Sequence, residues 1–188
     1  PTPSSAASDV YKRQLEFSPG DKWNYSVSTD VLGHLVEVFS GMNLEDYFVE
    51  YIFKPLEMSD TSFSCPEDKL NRLASLYEHN PKGDPRLLDI PFLNTRMASG
   101  GGGLFSTMND YHNFCHMLLH QGEFRGKRLI GRKTLELMTA NHLPNNQDLT
   151  EMSESAFSET PYAGVGFGLG FSVMPVSYTH LRAHETST

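Results

Sequence analysis

A tyrosine held on a short turn immediately ahead of a helix is the side chain in this sequence best placed to do chemistry. Tyr25 lies in the run Phe17-Ser18-Pro19-Gly20-Asp21-Lys22-Trp23-Asn24-Tyr25-Ser26-Val27-Ser28, and apolar residues take up helical spacing from near Thr29. The positive end of that helix, with any nearby cation, favours phenolate over phenol. Such a phenolate can act as a general base towards a hydroxyl nucleophile. A free tyrosine has a pKa of about 10, so work at neutral pH requires that assistance. The competing reading of Tyr25 is an aromatic packed beside Trp23.

Other chemistry-bearing patterns are weaker. His112, His116 and His120 recur at i, i+4 spacing and form one helix stripe, a metal-like spacing in principle. Tyr111, Phe114, Cys115 and Leu118 define the apolar face of the same helix, so the histidines are expected on its flank towards solvent. The glycines 100–103 read as close backbone passage in a turn. The segment Gly122-Glu123-Phe124-Arg125-Gly126-Lys127-Arg128 fails as a phosphate loop, because its glycines are too close and Arg128 stands where Ser or Thr must hold magnesium. No Gly-x-Ser-x-Gly elbow occurs, and no serine is followed three residues later by lysine. Asn24-Tyr25-Ser26 spells a glycosylation sequon, but a glycan there would block the tyrosine.

Several elements must position these residues. An amphipathic helix carrying Val31, Leu32, Leu35, Val36 and Phe39 is predicted to stop at Gly41. Asn43 caps a second helix, with Glu45 and Asp46 in its first turn and Leu44, Tyr47, Phe48, Tyr51 and Ile52 on one face, as far as Pro55. Turn chemistry in Asn80-Pro81-Lys82-Gly83-Asp84-Pro85 predicts a small hairpin within residues 72–91. Thr107 caps a third helix reaching about Gln121, with Asp110 placed as in a capping box. A loop or hairpin over Gly122–Gly131 and a fourth helix over about Lys133–Asn141 follow, then an irregular polar insertion or lid over Leu143–Thr160. Tyr162–Val176 reads as a strand whose glycines admit another backbone.

At 188 residues the chain suits one domain or part of one, and its 38% apolar and 20% charged composition is that of a globular protein. A net charge of -8 without a basic stripe argues against nucleic acid as a partner, and no apolar run is long enough for a membrane span. Cys65 and Cys115 sit in no disulfide or zinc pattern. Residues 1–14 and 177–188 lack sustained apolar periodicity, resemble translated adapter sequence, and read as non-native tails around a partial domain at 15–176.

From Leu15 to about Val176 the chain resembles the serine beta-lactamase-like and penicillin-binding-protein-like hydrolases. The likeness rests on the order and spacing of several pieces: Phe17-Ser18-Pro19-Gly20, Trp23-Asn24-Tyr25-Ser26, Thr29 to Glu37, Ile52 to Phe63, Ser99 to Thr107, and Gly166 to Phe171. The form of the tyrosine segment looks most like the family VIII esterases. This resemblance implies an α/β (α+β) beta-lactamase/transpeptidase-like fold, here a helical lobe and part of its antiparallel sheet. It also implies an acyl-serine enzyme in which Tyr25 relays protons and no metal or organic cofactor is needed. The substrate would be a small-molecule ester, beta-lactam or peptide. The family often places asparagine at the third position of the tyrosine motif, and Val27 stands there instead. An aliphatic group cannot hydrogen-bond an amide, which tilts the reading towards ester hydrolysis or acyl transfer. The alternatives are a beta-lactamase or D-alanyl-D-alanine carboxypeptidase, and a catalytically dead relative that binds ligands. The resemblance places the Ser-x-x-Lys nucleophile before Leu15 and a strand-borne His/Lys/Trp-x-Gly segment after Val176. Both being absent, the 188-residue chain is expected to be inactive.

Overall fold

The computed structural model describes residues 17–24, 27–81, 83–88, 98–153 and 163–174. The chain divides into two units, Ser26–Leu135 and Pro1–Tyr25 with Glu136–Thr188.

In the first unit, helix α1 spans Ser28–Ser40 and ends where predicted, with Gly41 in the left-handed conformation at φ 69°. Helix α2 spans Leu44–Phe48, and the Asn43 side chain accepts from the Asp46 N–H at 2.8 Å, the expected cap. The predicted single helix to Pro55 does not stay α-helical. From Val49 to Phe53 the chain makes a π-helical turn, in which the Lys54 N–H reaches back five residues to the Val49 carbonyl at 2.9 Å. A 3₁₀ turn covers Glu67–Arg72. The predicted hairpin is present: β1 (Leu76–Glu78) pairs antiparallel with β2 (Arg86–Leu88), Tyr77 opposite Leu87.

Helix α3 covers Met108–Leu119, with the Thr107 hydroxyl accepting from the Asp110 N–H at 3.2 Å. Its capping box is only half formed, because the Asp110 carboxylate is engaged elsewhere. At 3% exposure it accepts from the Asp60 N–H at 2.7 Å and the Thr61 hydroxyl at 2.9 Å, which clamps the turn after Met58 onto α3. Strands β3 (Glu123–Phe124) and β4 (Lys127–Arg128) form a tight hairpin through Arg125 and Gly126, both at positive φ. The unit's core is Phe53, Leu56, Met58, Met117 and Phe124, with Phe48, Ile52, Phe114 and Leu118 packed around it. The buried Asn113 amide donates to the Leu56 carbonyl at 3.0 Å, holding α3 against this core.

The stripe of α1 does not join that core. Val31, Leu32, Leu35 and Phe39 are exposed, Phe39 at 83%, and the buried residue of α1 is Gly33. The reason is steric: a side chain at Gly33 would meet the Gly100 Cα and the Leu44 Cδ2, both at 3.0 Å. Backbone seats against backbone there, and the apolar stripe points away.

Helix α4 (Arg132–Met138) leads into the second unit. Residues 143–153 are not the irregular insertion predicted for Leu143–Thr160; the remainder of that span lies outside the described residues. A 3₁₀ turn at Pro144–Asn146 precedes α5 (Leu149–Met152), which is closed by a full Asp148/Glu151 capping box and buries Leu149 and Met152. Asp148 also accepts from the Gly164 N–H at 2.6 Å. Burial pushes its carboxyl up, but bonds from the Thr150 hydroxyl and the Gly164 and Glu151 N–H groups outweigh this and hold its pKa below the ordinary value.

The predicted strand over Tyr162–Val176 is instead a short hairpin, β5 (Gly166–Phe167) against β6 (Ser172–Val173); Tyr162, Pro175 and Val176 lie outside the described residues. Of its glycines, Gly168 admits another backbone and Gly166 a side chain. A Cβ on Gly168 would collide with the Met138 carbonyl oxygen, and one on Gly166 with the Asn141 side chain. Asn141 organises the turn: its Oδ1 accepts from the Phe167 N–H at 3.0 Å and its Nδ2 donates to the Gln147 carbonyl at 2.9 Å. No helix among the described residues is long and apolar enough to cross a membrane. The segments read as tails, 1–14 and 177–188, lie outside the described residues.

Candidate active site around the first turn of helix α1

Tyr25 and Ser26 lie outside the described residues, which resume at Val27. On the preceding side, Trp23 is fixed within its own unit: its N–H donates to the Met152 carbonyl at 3.2 Å, and its ring tilts against Phe167 with centroids 5.4 Å apart. On the following side, Val27 is the N-cap of α1 and is 65% exposed. It offers no side-chain cap, so the first N–H groups of α1 gain no acceptor from it. The positive end of this 13-residue helix is thus left without a side-chain cap.

The first turn is held by the glycine run. The Ser99 hydroxyl donates to Asp30 Oδ1 in a short bond, and the Gly101 N–H reaches the same oxygen at 3.3 Å. The Ser99 oxygen in turn accepts from the Gly101 N–H at 3.1 Å. Gly100 lies against the Thr29 carbonyl so closely that a Cβ would overlap it, and would stand 3.0 Å from both the Gly33 Cα and N. The close backbone passage expected of residues 100–103 is made at Gly100, whereas a Cβ at Gly102 or Gly103 would meet nothing within 4 Å. Asp30 and Ser99 were not singled out as site residues by sequence, although both stand in the matched segments. Their shared signal was a carboxylate in a first helical turn and a hydroxyl just before a glycine run.

Elsewhere in this unit, a cleft lined by Asp60, Ser62, Cys65, Lys69, Arg72 and Phe105 carries its charges already paired. Asp60 meets the Lys69 ammonium at 2.6 Å and the Arg72 guanidinium at 3.1 Å; hydrogen bonds from Lys69 and then Arg72 hold its pKa below the ordinary carboxylate value. His120-Gln121-Gly122 has the spelling of a His-x-Gly motif, but it ends helix α3 rather than lying on a sheet strand. Among the described residues no group of three or more His, Cys, Asp or Glu side chains is placed to hold a metal ion.

The Beta-lactamase family model matches residues 3–185 of the chain. The chain belongs to the beta-lactamase family. It is 32% identical over 169 residues to Protein Rv1367c of Mycobacterium tuberculosis, covering 85% of this chain and 40% of that protein. Over 126 residues it is 35% identical to the acyltransferase mokF of Monascus pilosus, covering 64% of this chain and 29% of that enzyme. Over 119 residues it is 32% identical to the lovastatin esterase of Penicillium rubens, covering 59% of this chain and 29% of that enzyme. Among solved structures, unliganded simvastatin synthase (LovD) from Aspergillus terreus superposes with a TM-score of 0.67 at 29% identity, covering 82% of this chain and 41% of that one. The chain thus spans about 40% of the length of the first of these relatives. It carries part of the beta-lactamase-like fold, with helices and small antiparallel sheets.

Proposed function

We propose that the protein carrying this sequence is a serine hydrolase or acyltransferase that works through an acyl-serine intermediate on carboxylic esters. The observation that carries this reading is that beta-lactamase-family relatives named by activity include an acyltransferase and an esterase. Val27 agrees with it, because an exposed aliphatic side chain two residues after Tyr25 offers no hydrogen bond to an amide.

In this mechanism the serine of a Ser-x-x-Lys segment, which these 188 residues lack, attacks the ester carbonyl. Tyr25, as phenolate, takes the hydroxyl proton and returns it to the departing alkoxide, leaving the acyl group on serine. Water or a second alcohol then attacks the acyl-serine, giving up its proton through the same tyrosine. Backbone N–H groups stabilise the oxyanion in both steps. The role of Ser99 and Asp30 is one of position: they fix the first turn of α1.

The 188-residue chain alone is inactive on this reading, since the nucleophile and its lysine are missing. The test uses the complete reading frame. Short-chain nitrophenyl esters should be turned over far faster than a chromogenic cephalosporin, and Tyr25→Phe should lower ester turnover by roughly 10²- to 10⁴-fold, the usual worth of a general base. Equal turnover by Tyr25→Phe removes the role given to Tyr25. Preference for the cephalosporin moves the protein to the beta-lactamase reading.

A further inference from the structure

We propose that His116 and His120, at the C-terminal end of helix α3, chelate a divalent transition-metal ion of the copper(II), nickel(II) or zinc(II) class. The two residues are four apart, and their rings lie side by side with centroids 3.9 Å apart and planes 18° apart. Imidazole nitrogens bind such ions at about 2.0–2.1 Å, so two rings in contact at i, i+4 spacing can share one ion once the exposed His120 ring turns its lone pair towards that of His116.

The hydrogen bonding prepares both rings. His120 Nδ1 lies 2.8 Å from the His116 carbonyl oxygen, and a carbonyl only accepts, so this bond places the proton on Nδ1 and the free lone pair on Nε2. A backbone carbonyl behind the non-ligating nitrogen is the usual support of a metal-binding histidine. His116 is held from another side, its ring meeting Phe124 edge-on at 5.8 Å and 86°. Its Nδ1 is occluded and has no hydrogen-bond partner, which leaves Nε2 as the nitrogen for a ligand. His120 is also the C-cap of α3, where the negative end of the helix dipole favours a cation.

Desolvation first, then the charges of His120, His112 and Arg125, hold the His116 pKa below the ordinary histidine value. Arg125 is itself engaged, meeting Glu57 at 2.5 Å and lying over the Phe124 ring at 5.3 Å. His112 is one turn further back, its ring 6.1 Å from His116 and inclined at 55°. The site thus has two protein ligands, with water completing the coordination. Affinity should follow the general order for nitrogen donors, copper(II) above nickel(II) and zinc(II).

His180 and His184 share the four-residue spacing, so the test is made in the full chain carrying His180→Ala and His184→Ala. Copper(II) chloride is titrated at pH 7, with calorimetry for affinity and electron paramagnetic resonance for the number of bound nitrogens. One ion should bind per chain with two nitrogen ligands. Removing a ligand should weaken binding at least as much as losing an outer-shell partner, so His120→Ala is expected to lose about tenfold or more. His112→Ala should stay within about twofold of the parent background, well short of that loss. His120 is exposed, so its replacement leaves the fold intact, and circular dichroism checks this. Copper bound through a single nitrogen, or an affinity unchanged by His120→Ala, would overturn the proposal.

Discussion

Gly100→Ala should be one of the most damaging single-methyl additions available in this protein. The added Cβ would overlap the Thr29 carbonyl oxygen and lie 3.0 Å from the Gly33 Cα and N. All three obstacles are backbone atoms of one helix, so no rotamer change relieves the clash and α1 must move off the loop. Overpacking usually costs about 1–3 kcal/mol, and with only backbone to yield the upper end, about 3 kcal/mol, is expected. For a chain of this size each kcal/mol moves Tm by about 2–4 °C, giving a fall of roughly 6–12 °C. Gly102→Ala supplies the control, since a Cβ there meets nothing within 4 Å. It should be neutral or stabilising by about 0.4–1 kcal/mol through the unfolded chain. The assay is thermal unfolding followed by circular dichroism, with hydrogen exchange on α1 to localise the loss. If the two variants melt within about 2 °C of one another, the backbone seat described for α1 is wrong.

Asp110→Ala should destabilise by about 1–3 kcal/mol in urea unfolding, because it strands the part-buried Asp60 N–H and leaves the Thr61 hydroxyl with Ser106 alone. Ser99→Ala should cost only about 1 kcal/mol, since the Gly101 N–H still reaches Asp30; a loss as large as that of Asp110→Ala would show that Ser99 carries more than one hydrogen bond's worth. Asp148 and Asp60 both have folded pKa values below their unfolded ones. Their contribution is therefore complete above roughly pH 4 and disappears as pH falls through the folded values. Asp148→Asn should flatten the stability-against-pH curve below pH 4 and leave its shape above pH 5 unchanged, as read from unfolding midpoints at stepped pH.

Local chemistry was legible and distant chemistry was not. The caps at Asn43 and Thr107, the glycine stop at Gly41 and the hairpin around Asn80 to Pro85 each depend on residues within one turn of one another, so sequence spacing captures them. Asp110 shows the limit. Its position after Thr107 suggested a reciprocal cap, yet its carboxylate serves Asp60 and Thr61, about 50 residues away, and no local rule reports a partner at that distance. The α1 stripe failed for a related reason, since periodicity states that one face is apolar but not what covers it. Residues 143–153 looked polar and irregular because their burial is confined to Leu149 and Met152, too few for a periodic signal. For the site, the Asp30 to Ser99 contact was not readable, because it required two segments 69 residues apart to meet.

The π-helical turn at Val49–Phe53 sets the phase of everything after it. A five-residue reach stores one residue more than an α-helical turn, and one residue corresponds to about 100° of rotation. Deleting any single residue from this stretch would let the helix close as an ordinary one, with little local penalty. It would also turn Leu56 and Met58 away from the core and carry Asp60 out of register with Asp110. The length of this segment is therefore less free to vary than its composition. Among family members, chains one residue shorter here should bear compensating changes opposite Asp110, whereas substitutions within it need only preserve apolar residues at the positions of Val49, Ile52 and Phe53.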